Sequence, residues 1–167
     1  MNVTLSKNSG FCPGVKKAHI FVEKLLSDSE FDKIFTLGEL IHNRIYNENL
    51  KKKGVDSISV EELKETLSSS NKKIALIVRT HGIKREEAEA LKRLESTNPN
   101  FKVFDLTCHH VKAAQKIAAE NTSDSTAFLL YSDPNHPEAI ATMSYANGEK
   151  YAFSSLSELK KIKTNGK

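Results

Sequence analysis

Cysteine is scarce in this chain, with two residues in 167. A disulfide-stapled scaffold is therefore excluded, since one bridge at most could form. Long hydrophobic runs are missing, and no stretch approaches membrane-spanning length. The opening residues Met1-Asn2-Val3-Thr4-Leu5-Ser6 have no basic region followed by an apolar segment, so no export signal is read there. A cytoplasmic setting with reduced thiols or metal-ligating thiolates is expected, with no membrane partner. Charge of one sign is not in large excess: Lys plus Arg number 25 against 21 acidic residues, a formal net charge of +4. That balance suits an anionic small molecule and gives no case for nucleic acid. Lys51-Lys52-Lys53 and Lys160-Lys161 read as solvated lysines. There is no low-complexity tract and no close internal repeat.

What is present is a soluble, globular composition, 38% hydrophobic and 28% charged. Strand and helix patterns alternate. Short strands are expected at Val3–Leu5, Lys33–Leu37, Ile58–Val60, Lys73–Val78, Lys102–Phe104, Thr126–Tyr131 and Lys150–Phe153. Ile74-Ala75-Leu76-Ile77-Val78 is continuously apolar, which suits a parallel strand covered on both faces. Helices are expected from Pro13 through Leu26, Asn43 to Leu50, Glu61–Leu67, Arg85 to Leu94, His110 to Glu120, His136 to Tyr145 and Ser157 to Ile162. Pro13 suits a first helical turn, and the helix before Gly54 stops there. Val111, Ala114, Ile117 and Ala118 form the expected buried stripe of the helix at 110–120. Strands separated by helices imply βαβ units with right-handed crossovers. The fold class is α/β: two small domains with mostly parallel sheets flanked by helices. Pro99-Asn100 marks the boundary, giving domains 1–98 and 99–167. The polar tail from Lys163 to Lys167 is expected to fray.

Open α/β sheets place ligands beyond the carboxyl ends of their strands. Cys12, His42, Thr80-His81-Gly82, Cys108 and His136-Pro137-Glu138 all follow predicted strands. Thiolates are soft ligands for iron–sulfur clusters or zinc. Both cysteines lie near helix starts, where backbone amides favour negative charge. Histidines donate hydrogen bonds to a bound anion or neutralise it. A carboxylic acid in a closed pocket can deliver a proton. Each residue also has a plainer reading: a lone Cys as a small buried hydrophobe, Thr80-His81-Gly82 as a polar turn, and His136-Pro137-Glu138 as a capped helix start. His19, inside the first helix, reads as structural or exposed. His109 and His110 beside Cys108 invite a zinc reading, but adjacent residues diverge in direction.

Together the motifs Gly10-Phe11-Cys12-Pro13-Gly14-Val15, Gly38-Glu39-Leu40-Ile41-His42-Asn43, Thr80-His81-Gly82, Asp105-Leu106-Thr107-Cys108 and Asn135-His136-Pro137-Glu138 give the chain a family resemblance. It resembles the N-terminal part of the 4-hydroxy-3-methylbut-2-enyl diphosphate reductases, which complete the non-mevalonate isoprenoid pathway. The resemblance implies an iron–sulfur cluster on three cysteines and reductive removal of the substrate's allylic hydroxyl, giving isopentenyl and dimethylallyl diphosphate. It implies that Cys12 and Cys108 are cluster ligands and that His42, His81 and His136 contact the diphosphate. Glu138 would serve the proton relay, and a ferredoxin or flavodoxin would supply electrons. Family members are roughly twice as long, with a third α/β domain that brings the third cysteine and diphosphate-gripping Ser and Asn residues. That domain has no counterpart here. The family's Thr-rich stretch is also missing, His109 stands where Pro is usual, and Asp133-Pro134-Asn135 replaces a loop commonly containing His and Gly.

Two thiolates are too few to hold a cubic cluster. The expectation is therefore a partial reductase, inactive alone, whose missing third-domain partner would have to supply the rest. The alternatives are one subunit of a split reductase, a non-catalytic diphosphate-binding remnant, and a homodimer pooling four cysteines.

Overall fold

A computed structural model describes residues 2–7 and 9–164. Its elements run α1 (Pro13–Asp28), β1 (Lys33–Leu37), α2 (Arg44–Lys52), β2 (Val55–Ile58), α3 (Val60–Ser69), β3 (Ile74–Val78), α4 (Arg85–Thr97) and β4 (Phe101–Asp105). They continue with α5 (His109–Glu120), β5 (Ala127–Tyr131), α6 (Pro137–Tyr145), β6 (Glu149–Phe153) and α7 (Leu156–Leu159). The strands form a four-stranded sheet in the order β2-β1-β3-β4 and a two-stranded sheet β5-β6. Every pairing is parallel. The α/β class with parallel sheets flanked by helices is thus the one expected from the sequence.

β3 is the keystone of the larger sheet. All five of its residues are buried, and successive side chains serve opposite layers. Ala75 and Ile77 join Val22 and Leu25 of α1 and Leu50 of α2. Ile74, Leu76 and Val78 join Leu63 of α3 and Leu91 of α4. Burial of each large side chain here contributes about 1.5–3 kcal/mol. Phe104 of β4 closes the first layer against Phe21 and Phe31, at ring centroid distances of 5.0 and 5.7 Å.

Several boundaries differ from expectation, each for a physical reason. Val3–Leu5 is no strand: Val3 and Leu5 are 78% and 81% exposed, and no neighbouring edge pairs with them. β2 lies earlier than Ile58–Val60. Ser59 instead caps α3: its hydroxyl accepts the Glu62 N–H at 3.2 Å, and Glu62 accepts the Ser59 N–H at 2.8 Å. The first sheet also runs past Pro99, since β4 pairs with β3 from Ile74↔Phe101 to Val78↔Asp105. On α5 the buried stripe is Val111, Gln115 and Ala118, while Ile117 is 59% exposed. The stripe is turned because α5 packs along α6. The last helix is one short turn, shorter than Ser157–Ile162. In the tail, the Lys163 carbonyl accepts the Tyr151 hydroxyl at 3.2 Å; residues 165–167 lie outside the described residues.

Candidate metal and anion site

β1, β3 and β4 end level with one another, with Leu37 opposite Val78 and Val78 opposite Asp105. The loops leaving these strands therefore run side by side at the carboxyl edge, the usual ligand edge of such a sheet. Arg79, Thr80 and His81 leave β3 beside the loop that leaves β1 at Gly38. The Arg79 guanidinium lies against Gly38, with Nη1 2.9 Å from where a Cβ would stand. The backbone N–H and hydroxyl of Thr80 both donate to the Leu40 carbonyl, at 3.4 and 3.3 Å. The His81 and His42 rings meet with centroids 4.2 Å apart. Three successive residues of one loop thus meet alternate residues of the other.

The third histidine arrives from the smaller sheet. His136 is the N-cap of α6, its Nδ1 accepting the Glu138 N–H at 3.3 Å. Its ring lies 5.5 Å from that of His42 and 5.9 Å from that of His81. Because Nδ1 accepts, the neutral His136 ring carries its proton on Nε2, leaving a donor for a ligand. The seat of α6 is fixed from α4 by the Arg85 N–H, which donates to the Ser144 hydroxyl at 2.9 Å.

His81 is the electrostatic centre of the triangle. Burial first, then the neighbouring His42, His136 and Arg79, lower its pKa from 6.5 to about 4. Its Nδ1 is buried without a hydrogen-bond partner. A neutral imidazole among cationic and polarisable neighbours, with an orphaned nitrogen, is poised for an anion. Gly82 completes the turn at φ +77°, and a Cβ there would meet Gln115 Nε2 at 2.6 Å and Val111 Cγ1 at 3.3 Å. The His81 loop is thereby braced on α5.

The cysteines meet beside this triangle. Each is the N-cap of a helix, Cys12 of α1 and Cys108 of α5, and neither makes a side-chain capping bond. A Cβ on Gly14 would stand 3.1 Å from Cys108 Sγ and 4.0 Å from Cys12 Sγ, so the absent side chain makes room for two converging thiols. The backbone N–H of Cys108 donates to the Thr80 carbonyl at 2.9 Å, which joins thiol and histidine loops. The turn into Cys108 is set by Asp105. It accepts the Thr107 N–H at 2.9 Å and pairs with Lys112 at 2.8 Å. Burial pushes the Asp105 carboxyl up, but these bonds outweigh it and leave its pKa below the ordinary value. On the other side, Phe11 packs edge-on against Tyr46 of α2 at 5.6 Å and so ties the Cys12 segment to the helix that follows His42.

All six residues singled out from the sequence therefore lie at strand-end loops or helix starts. His42, His81 and His136 are in mutual ring contact, and Cys12 and Cys108 converge on Gly14. Glu138, half-buried in the first turn of α6, makes no ion pair among the described residues. His19 bonds Tyr46 through Nδ1 at 3.2 Å, a structural role. His109 and His110 stack on each other at 3.9 Å. Among the described residues no group of three or more His, Cys, Asp or Glu is disposed to hold a metal ion. The two converging thiols by themselves do not make up such a group. Arg79, Thr80 and Gly14 were not given roles of their own in the sequence; their only signal was adjacency to His81 and Cys12. A cavity of about 600 Å³ lies elsewhere: it runs between α3 and α4 along Arg79 and is lined by none of the histidines or cysteines. The histidine and thiol groups instead lie on an open surface.

The chain as a whole has relatives. The family described as LytB protein matches residues 3–167. The chain belongs to the LytB family. A 4-hydroxy-3-methylbut-2-enyl diphosphate reductase of Campylobacter hominis is 34% identical over 167 residues, which is 100% of this chain and 55% of that protein. The enzyme of the same description from Aquifex aeolicus is 33% identical over 162 residues, covering 95% of this chain and 52% of its own. A solved structure of (E)-4-hydroxy-3-methyl-but-2-enyl diphosphate reductase, the terminal enzyme of the non-mevalonate pathway, superposes with a TM-score of 0.68. It has 32% identity and covers 94% of this chain and 52% of that one. The chain thus spans about half the length of the LytB relatives it matches. Among the described residues no helix is long and apolar enough to cross a membrane.

Proposed function

We propose that this LytB chain supplies the diphosphate-binding histidines and two cluster thiolates of a 4-hydroxy-3-methylbut-2-enyl diphosphate reductase. The observation that carries this reading is the convergence of His42, His81 and His136, from three separate strand ends, onto one triangle. Such a triangle is a donor set for phosphate oxygens. Cys12 and Cys108 would hold an iron–sulfur cluster together with a ligand from a partner segment, and that cluster, when bound, supplies electron transfer and an iron that weakens the allylic C–O bond.

The chain's own residues then have distinct tasks. The histidines fix the diphosphate and so set where the allylic end of the substrate lies. Neutral His81 gains a favourable proton when the anion arrives. Glu138, at the start of α6 two residues beyond His136, carries the proton that lets the hydroxyl leave as water. Overall, one C–O bond breaks, two electrons come from an external donor of the ferredoxin or flavodoxin kind, and two protons are consumed.

The second reading is a diphosphate-binding module without catalysis. It is favoured by one contrast: the three histidine rings meet one another within these residues, whereas only two cysteines are present. Titration of the metal-free chain with the substrate, followed by 31P NMR, tests the binding common to both readings; shifts that His42→Ala abolishes are expected, and a flat titration overturns both. Anaerobic reconstitution with a polypeptide spanning the rest of a LytB relative separates them. Turnover in the mixture supports the reductase, and binding without turnover supports the module.

A further inference from the structure

We infer that Arg79 is a positioning residue that clamps the His42 and His81 loops together and so sets the spacing of the two imidazoles. Its use for diphosphate rests on the function proposed above, but the clamp itself does not.

Arg79 holds the His81 turn twice. Its carbonyl accepts the Gly82 N–H at 3.1 Å, and its Nε–H donates to the Gly82 carbonyl at 3.3 Å. His81 lies inside the turn so closed. The far end of the same side chain reaches the other loop, where Nη1, Cζ and Cδ lie 2.9, 3.8 and 4.0 Å from the Cβ position of Gly38. A side chain at position 38 would have to displace the guanidinium. Gly38 also has φ +70°, a conformation that side chains disfavour. One guanidinium thus bridges the residue after β1 and the residue after His81, and four residues beyond Gly38 stands His42.

The plainer reading is an arginine packed on a strand end for its charge. The surroundings argue against it. Glu61, Glu62, Glu86 and Glu87 line the same cavity as Arg79, yet among the described residues none forms an ion pair with it. Glu62 and Glu87 instead accept the backbone N–H groups of Ser59 and Lys84. The contacts Arg79 does make are a directed N–H···O bond and a close backbone approach. A lysine would keep the charge but could not bond Gly82 and reach Gly38 at once, since its ammonium is a point donor without the planar fork.

The test uses the whole chain and NMR of its histidine rings. In the unmodified protein, nuclear Overhauser contacts between the His42 and His81 rings are expected, together with slow solvent exchange of the Arg79 Nε proton. In Arg79→Lys, the ring contacts and their ring-current shifts should be lost while circular dichroism is retained. Affinity for inorganic pyrophosphate should fall about tenfold. Unchanged ring contacts in Arg79→Lys would overturn the inference. If that variant does not fold, the Nε exchange rate in the unmodified chain decides, and exchange as fast as at exposed arginines overturns it. Should pyrophosphate fail to bind even the unmodified chain, the diphosphate reading falls, and the ring contacts still decide the role of Arg79.

Discussion

The carbonyl of Thr80 accepts the backbone N–H of Cys108 at 2.9 Å, while the N–H and hydroxyl of the same threonine both donate to Leu40. One buried residue therefore joins the loop of His42, the loop of His81 and the turn that presents Cys108. Its backbone bonds survive any substitution, but its hydroxyl bond does not. Thr80→Val should lower unfolding stability by about 1 kcal/mol, the net worth of one buried hydrogen bond. It should also weaken pyrophosphate binding by loosening His42. Urea denaturation and a titration measure the two effects, and a variant as stable as its parent would show that the hydroxyl bond carries no weight.

Gly14 separates folding from ligation. It lies in the first turn of α1 without a positive φ, so alanine there should stabilise the helix by up to about 1 kcal/mol. The added Cβ, however, would crowd Cys108 Sγ at 3.1 Å and stand 4.0 Å from Cys12 Sγ. Gly14→Ala should therefore melt no lower than its parent but bind Cd²⁺ about tenfold more weakly, the order of loss seen when a ligand's support is disturbed. Sulfur-to-cadmium charge-transfer absorption reports the affinity. Equal affinity in the two proteins would remove Gly14 from the thiol site.

How much of this could be read from the sequence depends on how local each cause is. The run Ile74 to Val78 declares a doubly covered strand, and Pro13 declares a helix start; both carry their own signal. Sheet membership does not: nothing in Phe101–Asp105 itself announces its pairing with β3. The stripe of α5 was misphased because a glutamine, Gln115, occupies a buried position while Ile117 faces solvent. The alternating Val3-Thr4-Leu5 has strand chemistry but pairs with no strand among the described residues. At the site, the histidines and cysteines were legible by residue type and by position after strands. Thr80 and Arg79 were not, because the destinations of their side chains lie on loops brought near only by strand register. The Thr80 hydroxyl bond, for example, spans 40 residues.

His136 combines a structural and a proposed ligand role, and two substitutions pull them apart. Its Nδ1 caps α6 through the Glu138 N–H, so His136→Ala should cost about 1 kcal/mol of stability. Asparagine is a good N-cap and should restore stability to within about 0.5 kcal/mol of the parent. Neither variant offers an imidazole, so both should weaken pyrophosphate binding. If His136→Asn bound as tightly as the parent, the imidazole would be a cap and nothing more.

The depressed pKa of His81 predicts a pH dependence of definite sign. In the folded chain the group titrates at about 4, against 6.5 ordinarily. As pH falls below 6.5 the unfolded chain takes up a proton that the folded chain still refuses, so stability falls between roughly pH 6.5 and 4 and is insensitive to this group above that window. The carboxyls of Glu62, Glu95, Asp105 and Glu158, all held below their ordinary values, act in the same direction at the acid end. Comparison with His81→Asn removes their share: the variant's urea midpoint should fall less than the parent's across the window. A bound anion reverses the preference of His81 for the neutral form. Pyrophosphate binding near pH 5.5 should therefore take up more protons in the parent than in His81→Asn, a difference that cancels the ligand's own protonation. Calorimetry in two buffers of different ionisation enthalpy measures that uptake. Identical uptake in the two proteins would place the anion away from His81, and with it away from the triangle that His42 and His136 complete.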